Sequence, residues 1–313
     1  MESSKSRGFK SAVVVIGFVG TALNGLILYA LVATKQHKKQ VLIFNQNLLD
    51  FVSCFFLVAS YVAKLCDIDL NGTSGYWLCL TILSDGCSWG PFMSSMINLL
   101  VITIERYLKV VYHVWVKKNL RKWMIYSTAV FAWIGGSVIA IAVTIHTTDV
   151  LDGVCYTQFF WKSQAARTTY GIWYFLSFYV IIILVFTFCY GRIFVAVHRQ
   201  ARVMAAHSGG PGSSTAQTQS KKIKTNVIKT MLLVSVLFAI TLAPASVYVL
   251  LLNIHTQLTF RETGFFGVVL VGYLYICVNP FIYATNFDPV KRVLLNLIPC
   301  MKTTQPLESI DMT

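Results

Sequence analysis

Long apolar stretches recur along most of this chain and constrain its fold more than any other feature. Each has about 20 residues or more, which is what a helix needs to cross roughly 30 Å of hydrocarbon. The stretches are continuously apolar, so they predict helices rather than the short alternating strands of a membrane barrel. We count seven, at residues 12–33, 41–63, 79–111, 124–145, 170–193, 230–254 and 263–287.

Composition places the chain in a bilayer. Of its 313 residues, 56% are hydrophobic and only 12% are charged, whereas roughly one quarter of a soluble domain is charged. The first stretch is too long for the apolar part of a signal peptide and contains the polar Asn24, so we expect it to be retained. The predicted fold class is an all-α membrane protein, a seven-transmembrane helix bundle in residues 1–300, followed by a short cytoplasmic tail in residues 301–313.

Basic residues predict the orientation of the bundle, because lysine and arginine near the ends of spans stay on the cytoplasmic side. With the N-terminus outside, only seven of the 26 lysine and arginine residues fall outside, namely Lys5, Arg7, Lys10, Lys64, Lys162, Arg167 and Arg261. The N-terminus is therefore predicted outside. This topology and anionic inner-leaflet lipid explain the net charge of +14, so we expect no nucleic-acid partner.

Two connections and one terminal segment have a recognisable character. Residues 146–169 form an aromatic outer loop that contains Cys155. Residues 198–220 are rich in glycine and serine and predict a flexible cytoplasmic linker. Residues 288–298 predict a short amphipathic eighth helix on the inner leaflet, since apolar residues recur there at helical spacing: Val290, Val293, Leu294, Leu297 and Ile298.

Polar, aromatic and proline residues stand at fixed places within the stretches. Their order resembles that of the rhodopsin-like (class A) G-protein-coupled receptors over nearly the whole chain, on Asn24, Asp50, Glu105-Arg106-Tyr107, Trp133, Tyr190, Phe238, Pro244 and Asn279-Pro280-x-x-Tyr283. The resemblance implies a multi-pass plasma-membrane receptor that binds an extracellular ligand and activates a heterotrimeric G protein, with arrestin as a further partner. It implies no enzymatic activity.

The resemblance also implies which residues couple to the G protein and switch the receptor: Glu105, Arg106, Tyr107, Tyr190, Lys224, Phe238, Pro244, Asn279, Pro280 and Tyr283. Three departures from the family pattern concern activation. Leu242 stands where the sixth span usually has tryptophan, and Ile182 where the fifth has proline, so we expect activation to be relayed through Phe238. Lys224 replaces a glutamate that often pairs with the third-span arginine, which predicts basal activity.

A buried carboxylate is costly within a bilayer and normally marks a functional site. In the family, Asp50, Ser95 and Asn279 belong to a pocket that holds a sodium ion, which is the one ion we expect in a chain otherwise without cofactors. Tyr275 departs from the asparagine that is common there.

Several residues are candidates for covalent modification. Cys79 and Cys155 lie on the oxidising outer side and resemble the family disulfide between the third span and the second outer loop. Cys79 is two residues farther from Arg106 than usual, which leaves Cys66 and Cys87 as competitors. Cys300 is a candidate for palmitoylation, with an unmodified thiol equally favoured, and Asn71 begins an Asn-Gly-Thr glycosylation motif.

The ligand is less visible in the sequence. Ser88 stands where amine receptors have aspartate, and Asp85 is a weak substitute one turn outward. Tyr273 stands where opsins have the retinal lysine, which excludes a Schiff base there. Positions relative to the motifs predict a pocket of Ser88, Trp89, Phe92, Trp173, Tyr248, Val269 and Tyr273. We expect a peptide or a small molecule as the ligand, and charged groups of a peptide or of an acidic small molecule could meet Lys64, Asp85, Arg167 or Arg261 at the mouth of the pocket.

Three alternatives to a receptor stay open. A transporter would show internal repeats or paired broken helices, and we find no convincing repeat between the halves. A membrane enzyme would need a metal or nucleophile cluster, whereas the six histidines stand singly. A receptor-like scaffold that needs no ligand is the main alternative within the same fold.

Overall fold

The computed structural model describes residues 4–66, 68, 70–157, 161, 163–207, 215–254, 263–286, 290–291, 293 and 295. Only the backbone is described for residues 4, 200–231, 263 and 283–286.

Helices make up nearly all of the described chain. They are α1 (Ser4–Ala33), α2 (Val41–Leu65), α3 (Gly72–Leu78), α4 (Gly86–Val111), α5 (His113–Asn119), α6 (Lys122–Thr147), α7 (Gln164–Phe175), α8 (Ile181–His207), α9 (Thr215–Ile254) and α10 (Thr263–Asn286). A π-helical turn, Cys79–Leu83, follows α3, and another, Leu176–Val180, joins α7 to α8.

The seven predicted spans are confirmed. Seven helical segments in the described residues are long and apolar enough to cross a membrane: Lys5–Ala33, Val41–Leu65, Gly72–Val111, Lys122–Thr147, Gln164–Arg199, Leu232–Ile254 and Gly264–Ile282. We refer to them as the first to the seventh span. The third span thus includes α3 and α4, and the fifth includes α7 and α8.

The structure corrects the predicted ends of several elements. Helix α8 continues to His207 and α9 begins at Thr215, so residues 198–207 and 215–220 are helical where we expected a linker. A helix that leaves the bilayer keeps its backbone hydrogen bonds internally, which allows it to extend into water. Residues 208–214 lie outside the described residues.

The predicted eighth helix is described at four positions only. Residues 290, 291, 293 and 295 are helical, with Val290 buried and Lys291 exposed. Leu294, Leu297, Ile298 and Cys300 lie outside the described residues, so the amphipathic surface and the palmitoylation stay predictions.

The outer loop contains a β-hairpin that the sequence did not predict. Strand β1 (Thr148–Leu151) pairs antiparallel with β2 (Val154–Thr157). The connecting Asp152 and Gly153 both have positive φ, at 51° and 72°, which is the geometry of a tight two-residue hairpin turn. A disulfide joins Cys155 of β2 to Cys79, which confirms the predicted pair over Cys66 and Cys87, both of which are free.

Helix α4 lies at the centre of the bundle and packs on α2, α6 and α8, while α1 packs on α2 and α10. Small residues allow close approach. A Cβ atom at Gly136 of α6 would lie 2.3 Å from the backbone nitrogen of Ser94 in α4, so only glycine allows these helices to approach so closely.

Candidate functional site

A buried polar network joins three spans in the middle of the bundle. The Asp50 carboxylate accepts a hydrogen bond from the Ser95 hydroxyl at 2.6 Å and another from the Asn279 amide at 2.8 Å. All three side chains are almost fully buried. The structure therefore brings together the three residues proposed for the sodium pocket.

The network extends further than the sequence indicated. Gln46 donates to Ser95, and Asn98 donates to Gln46 at 2.8 Å. Asn45 in turn donates to Asn98 at 2.9 Å, and the Trp133 indole donates to Asn45 at 2.8 Å. These hydrogen bonds tie the second, third and fourth spans together. The sequence signal that could have identified these residues is an amide side chain within an otherwise apolar span.

The oxygen atoms of this network suit a small hard cation. Two carboxylate oxygens of Asp50 and the hydroxyl oxygen of Ser95 are ligands of the kind that such ions take, and each carboxylate oxygen keeps a lone pair beside its protein hydrogen bond. Asn279 and Gln46 present amide nitrogens rather than oxygens. Sodium binding stays a prediction.

Aromatic rings connect the outer half of the bundle with the inner half. The buried ring of Phe238 makes edge contacts with Tyr275 at 5.4 Å and with Phe186 at 5.5 Å between ring centroids. Tyr275 also contacts Phe92 at 6.4 Å, and Phe186 contacts Tyr190 at 6.3 Å. Phe238 therefore stands at the middle of a continuous row of rings that runs through the third, seventh, sixth and fifth spans.

The inner end of the third span holds the predicted coupling residue Arg106. Its guanidinium donates to the side-chain oxygen of Gln40 at 2.7 Å and lies 3.3 Å from the carboxylate of Glu105. Glu105 also pairs with Lys109. Gln40 precedes α2 and carries no motif, so sequence reasoning missed it.

The other predicted coupling residues fall into two groups. The hydroxyl of Tyr190 accepts a hydrogen bond from Ser235 of α9 at 3.1 Å, whereas the ring of Tyr107 packs against Tyr112 and Phe188. Pro244 and Pro280 lie inside α9 and α10. The side chains of Lys224 and Tyr283 lie outside the described residues.

An outer cavity of about 690 Å³, open solvent included, lies between the spans. Clefts between the helices of a bundle are a usual place for small-molecule sites. Five of the residues that we singled out line it: Asp85, Trp89, Phe92, Val269 and Tyr273. Sequence reasoning missed Tyr61, Tyr174, Leu242, Ala245, Ser246, Val249, Phe265 and Gly272.

Trp173 does not line the cavity. It is 41% exposed on the outside of the bundle and packs against Phe178. The sequence assignment counted back from Tyr190 as if the helix were regular. The π-helical turn Leu176–Val180 interrupts this count, because it contains one residue more than a regular α-helical turn. One extra residue rotates the preceding part of the helix by about 100°, so the neighbouring Tyr174 faces the cavity instead.

Ser88 and Tyr248 are also absent from the lining. Ser88 is buried against the second span, where its hydroxyl donates to the Ser53 carbonyl at 3.0 Å. A short polar side chain in a bilayer is satisfied best by such a backbone acceptor. The ring of Tyr248 packs beside Phe265, and Phe265 is the residue of this pair that reaches the cavity.

The third span begins irregularly, which explains the unusual spacing of Cys79 from Arg106 and the position of Asp85. The π-helical turn Cys79–Leu83 is followed by Asp85 in a left-handed conformation with φ of 63°. This segment accommodates extra residues between Cys79 and Arg106 without breaking the disulfide. It also places Asp85 at the cavity edge, where its carboxylate pairs with Lys64 at 2.6 Å.

Two other outer residues have clear placements. Arg167 donates to the backbone carbonyl of Leu252 at 2.6 Å, so it ties α7 to the end of α9. Asn71 is exposed immediately before α3, which leaves the glycosylation motif accessible. Arg261 lies outside the described residues.

The family of the chain is shown by comparison with known proteins. Residues 23–283 match the model of the 7 transmembrane receptor (rhodopsin family). The chain belongs to this family and is a multi-pass protein of the plasma membrane.

Two relatives illustrate the match. Melanopsin of Podarcis siculus is 24% identical over 303 residues, which cover 93% of this chain. The chain spans 62% of the length of that relative. The crystal structure of squid rhodopsin has the same fold, with a TM-score of 0.75 at 16% identity over 97% of this chain and 89% of the squid chain.

Proposed function

We propose that this receptor converts the binding of an extracellular ligand in the outer cavity into activation of a heterotrimeric G protein. The row of aromatic rings is the observation that carries the proposal. It begins at Phe92, which lines the cavity, and reaches Tyr190, which hydrogen-bonds α9 at the inner end. A ligand that displaces Phe92 would thereby favour one arrangement of the fifth and sixth spans over another.

The ligand is held without a covalent bond in this proposal. The relatives named above are a melanopsin and a rhodopsin, but the chain contains no lysine between Arg261 and Lys291. Tyr273 occupies the place of the opsin lysine and lines the cavity. An amine bound in the usual way is disfavoured as well, because Ser88 replaces the usual aspartate and hydrogen-bonds Ser53.

The inner surface around Arg106 is the proposed site for the G protein and also for arrestin. Its guanidinium is held by Gln40 and Glu105, so release of these partners would free a charged group at the cytoplasmic end. The proposal includes no enzymatic activity. The alternative functions are those of a transporter or of a receptor-like scaffold that needs no ligand.

Cells that express the receptor with sensors for the four G-protein classes would test the proposal. A library of peptides, lipids and small molecules should yield a response in at least one sensor. The response should disappear in Arg106→Ala at equal surface expression, whereas Lys118→Ala, a change of a basic residue in the short helix α5, should leave it. Uptake of a compound without any sensor response would favour the transporter, and altered trafficking of a co-expressed receptor alone would favour the scaffold.

A further inference from the structure

Asp85, which lines the outer cavity, has one carboxylate oxygen that no described residue satisfies. Asp85 lines the cavity, and its Oδ2 atom accepts from Lys64 at 2.6 Å. Its Oδ1 atom is buried and has no hydrogen-bond partner among the described residues. An unpaired buried acceptor is unfavourable, so a bound molecule that donates to Oδ1 would remove this cost.

The charge of Asp85, by contrast, is already neutralised. The ammonium group of Lys64 contacts its carboxylate and also lies 4.3 Å from the centre of the Tyr61 ring. A second lysine, Lys10, donates to the backbone carbonyl of Lys64 at 2.8 Å. Because Lys64 offsets the carboxylate, a cationic group that enters the cavity finds no unpaired negative charge at Asp85 and meets the ammonium group of Lys64.

The rest of the lining is apolar and aromatic. Trp89, Phe92 and Tyr174 contribute aromatic surface, and Leu242 and Val269 contribute aliphatic surface. Tyr61 and Tyr273 add two further aromatic rings to the lining. Such a surface accommodates a flat, mostly apolar molecule.

We infer that the cavity takes an uncharged, largely apolar ligand with a ring system and an O–H or N–H group that donates to Oδ1 of Asp85. The missing interaction is a hydrogen bond and not a charge. This inference rests on the proposed function, because it assigns the ligand class of the same cavity. Binding and signalling can nevertheless be measured separately.

Three matched probes would test the ligand class on the purified full-length receptor in lipid nanodiscs. They are 2-(1-naphthyl)ethanol, its methyl ether, and 2-(1-naphthyl)ethylamine, which is an ammonium ion at pH 7. Affinities would come from ligand-observed nuclear magnetic resonance. The alcohol should bind about five-fold more tightly than either the ether or the amine, as one hydrogen bond gained without charge repulsion predicts.

Two variants locate this preference at Asp85. Lys64→Met leaves the carboxylate unpaired and should make the amine the tightest of the three probes. The double variant with Lys64→Met and Asp85→Leu removes both charges together, so no unpaired charge remains buried, and the alcohol should then bind no better than the ether. Asp149→Asn, which alters an exposed carboxylate on the hairpin, should change none of the three affinities.

The inference is overturned if the unmodified receptor prefers the amine, or if it binds alcohol and ether equally. It is also overturned if a receptor that unfolds cooperatively on heating binds none of the probes. Probe binding in a receptor that activates no G protein would refute the proposed function and leave the ligand class standing.

Discussion

The buried carboxylate in the middle of the bundle and the one at the outer cavity differ in how fully the protein satisfies their oxygen atoms. Both oxygens of Asp50 accept hydrogen bonds from protein donors in two other spans. Asp85 has one oxygen paired with Lys64 and another that faces no donor in the described part of the chain. The hydrogen bonds of Asp50 hold three spans together, whereas the unpaired oxygen of Asp85 lies where we propose that a ligand binds.

Phe238 lies between these two regions, and its removal should have the largest effect. Phe238→Ala should lower stability by about 3–5 kcal/mol, because the side chain is fully buried between Phe186 and Tyr275. It should also reduce the maximal response to an agonist. Thermal unfolding and signalling at matched surface expression would measure both. Phe238→Leu should recover most of the stability, and unchanged signalling in Phe238→Ala would show that the two regions communicate by another route.

The disulfide tests how far the outer region depends on its loop. Cys79→Ser and Cys155→Ser should each lower stability by about 2–4 kcal/mol, because the bond restrains the unfolded chain and holds the hairpin on the bundle. Surface expression and agonist potency should both fall. Cys66→Ser changes an exposed free cysteine and is the matched control. Normal expression and potency in both disulfide variants would contradict the prediction.

A change at Asp50 tests whether the middle region responds to ions. Asp50→Asn should cost about 1–3 kcal/mol, because an amide nitrogen would face either Ser95 or Asn279 in place of an acceptor. It should also abolish any sodium dependence of agonist affinity, since it removes the only formal charge of the proposed ion site. Radioligand competition in sodium and in choline buffers measures this dependence. Full sodium sensitivity in the variant would locate the ion elsewhere.

Gln40 extends the comparison to the inner end. Gln40→Leu removes the acceptor of the 2.7 Å hydrogen bond from Arg106, and should raise basal signalling several-fold if that bond restrains the resting state by about 1 kcal/mol. Sensor output without ligand, normalised to surface expression, is the measurement. Gln36→Leu makes the same chemical change four residues earlier and should have no effect. Equal basal output in both variants would remove Gln40 as a restraint.

Lys224 should give the smallest effect. Lysine cannot pair with Arg106, so we predict measurable basal activity in the unmodified receptor, and Lys224→Glu should lower it by restoring a pair worth a fraction of a kcal/mol to about 1 kcal/mol at a wet surface. The same sensors report the change. A silent unmodified receptor, or a variant with unchanged basal output, would exclude this latch.

Much of the fold was predictable because the bilayer imposes it. Seven long apolar segments have few alternatives to a helical bundle, and the fixed order of Asp50, Arg106 and Asn279 indicated the family. The Cys79–Cys155 pair was predicted from the same resemblance and is confirmed. The boundaries in water were less predictable, because α8 and α9 extend beyond the apolar stretches that marked them.

The sequence by itself determined the class of the protein, the number of spans and the three residues Asp50, Ser95 and Asn279 at the centre of the buried network. Only the tertiary structure decided which side chains line the cavity. Regular helical counting fails across the turns Cys79–Leu83 and Leu176–Val180, because an extra residue in a turn rotates all residues before it. Tyr174 therefore replaces Trp173 in the lining, whereas Ser88 is held away from the cavity by its hydrogen bond to the Ser53 carbonyl.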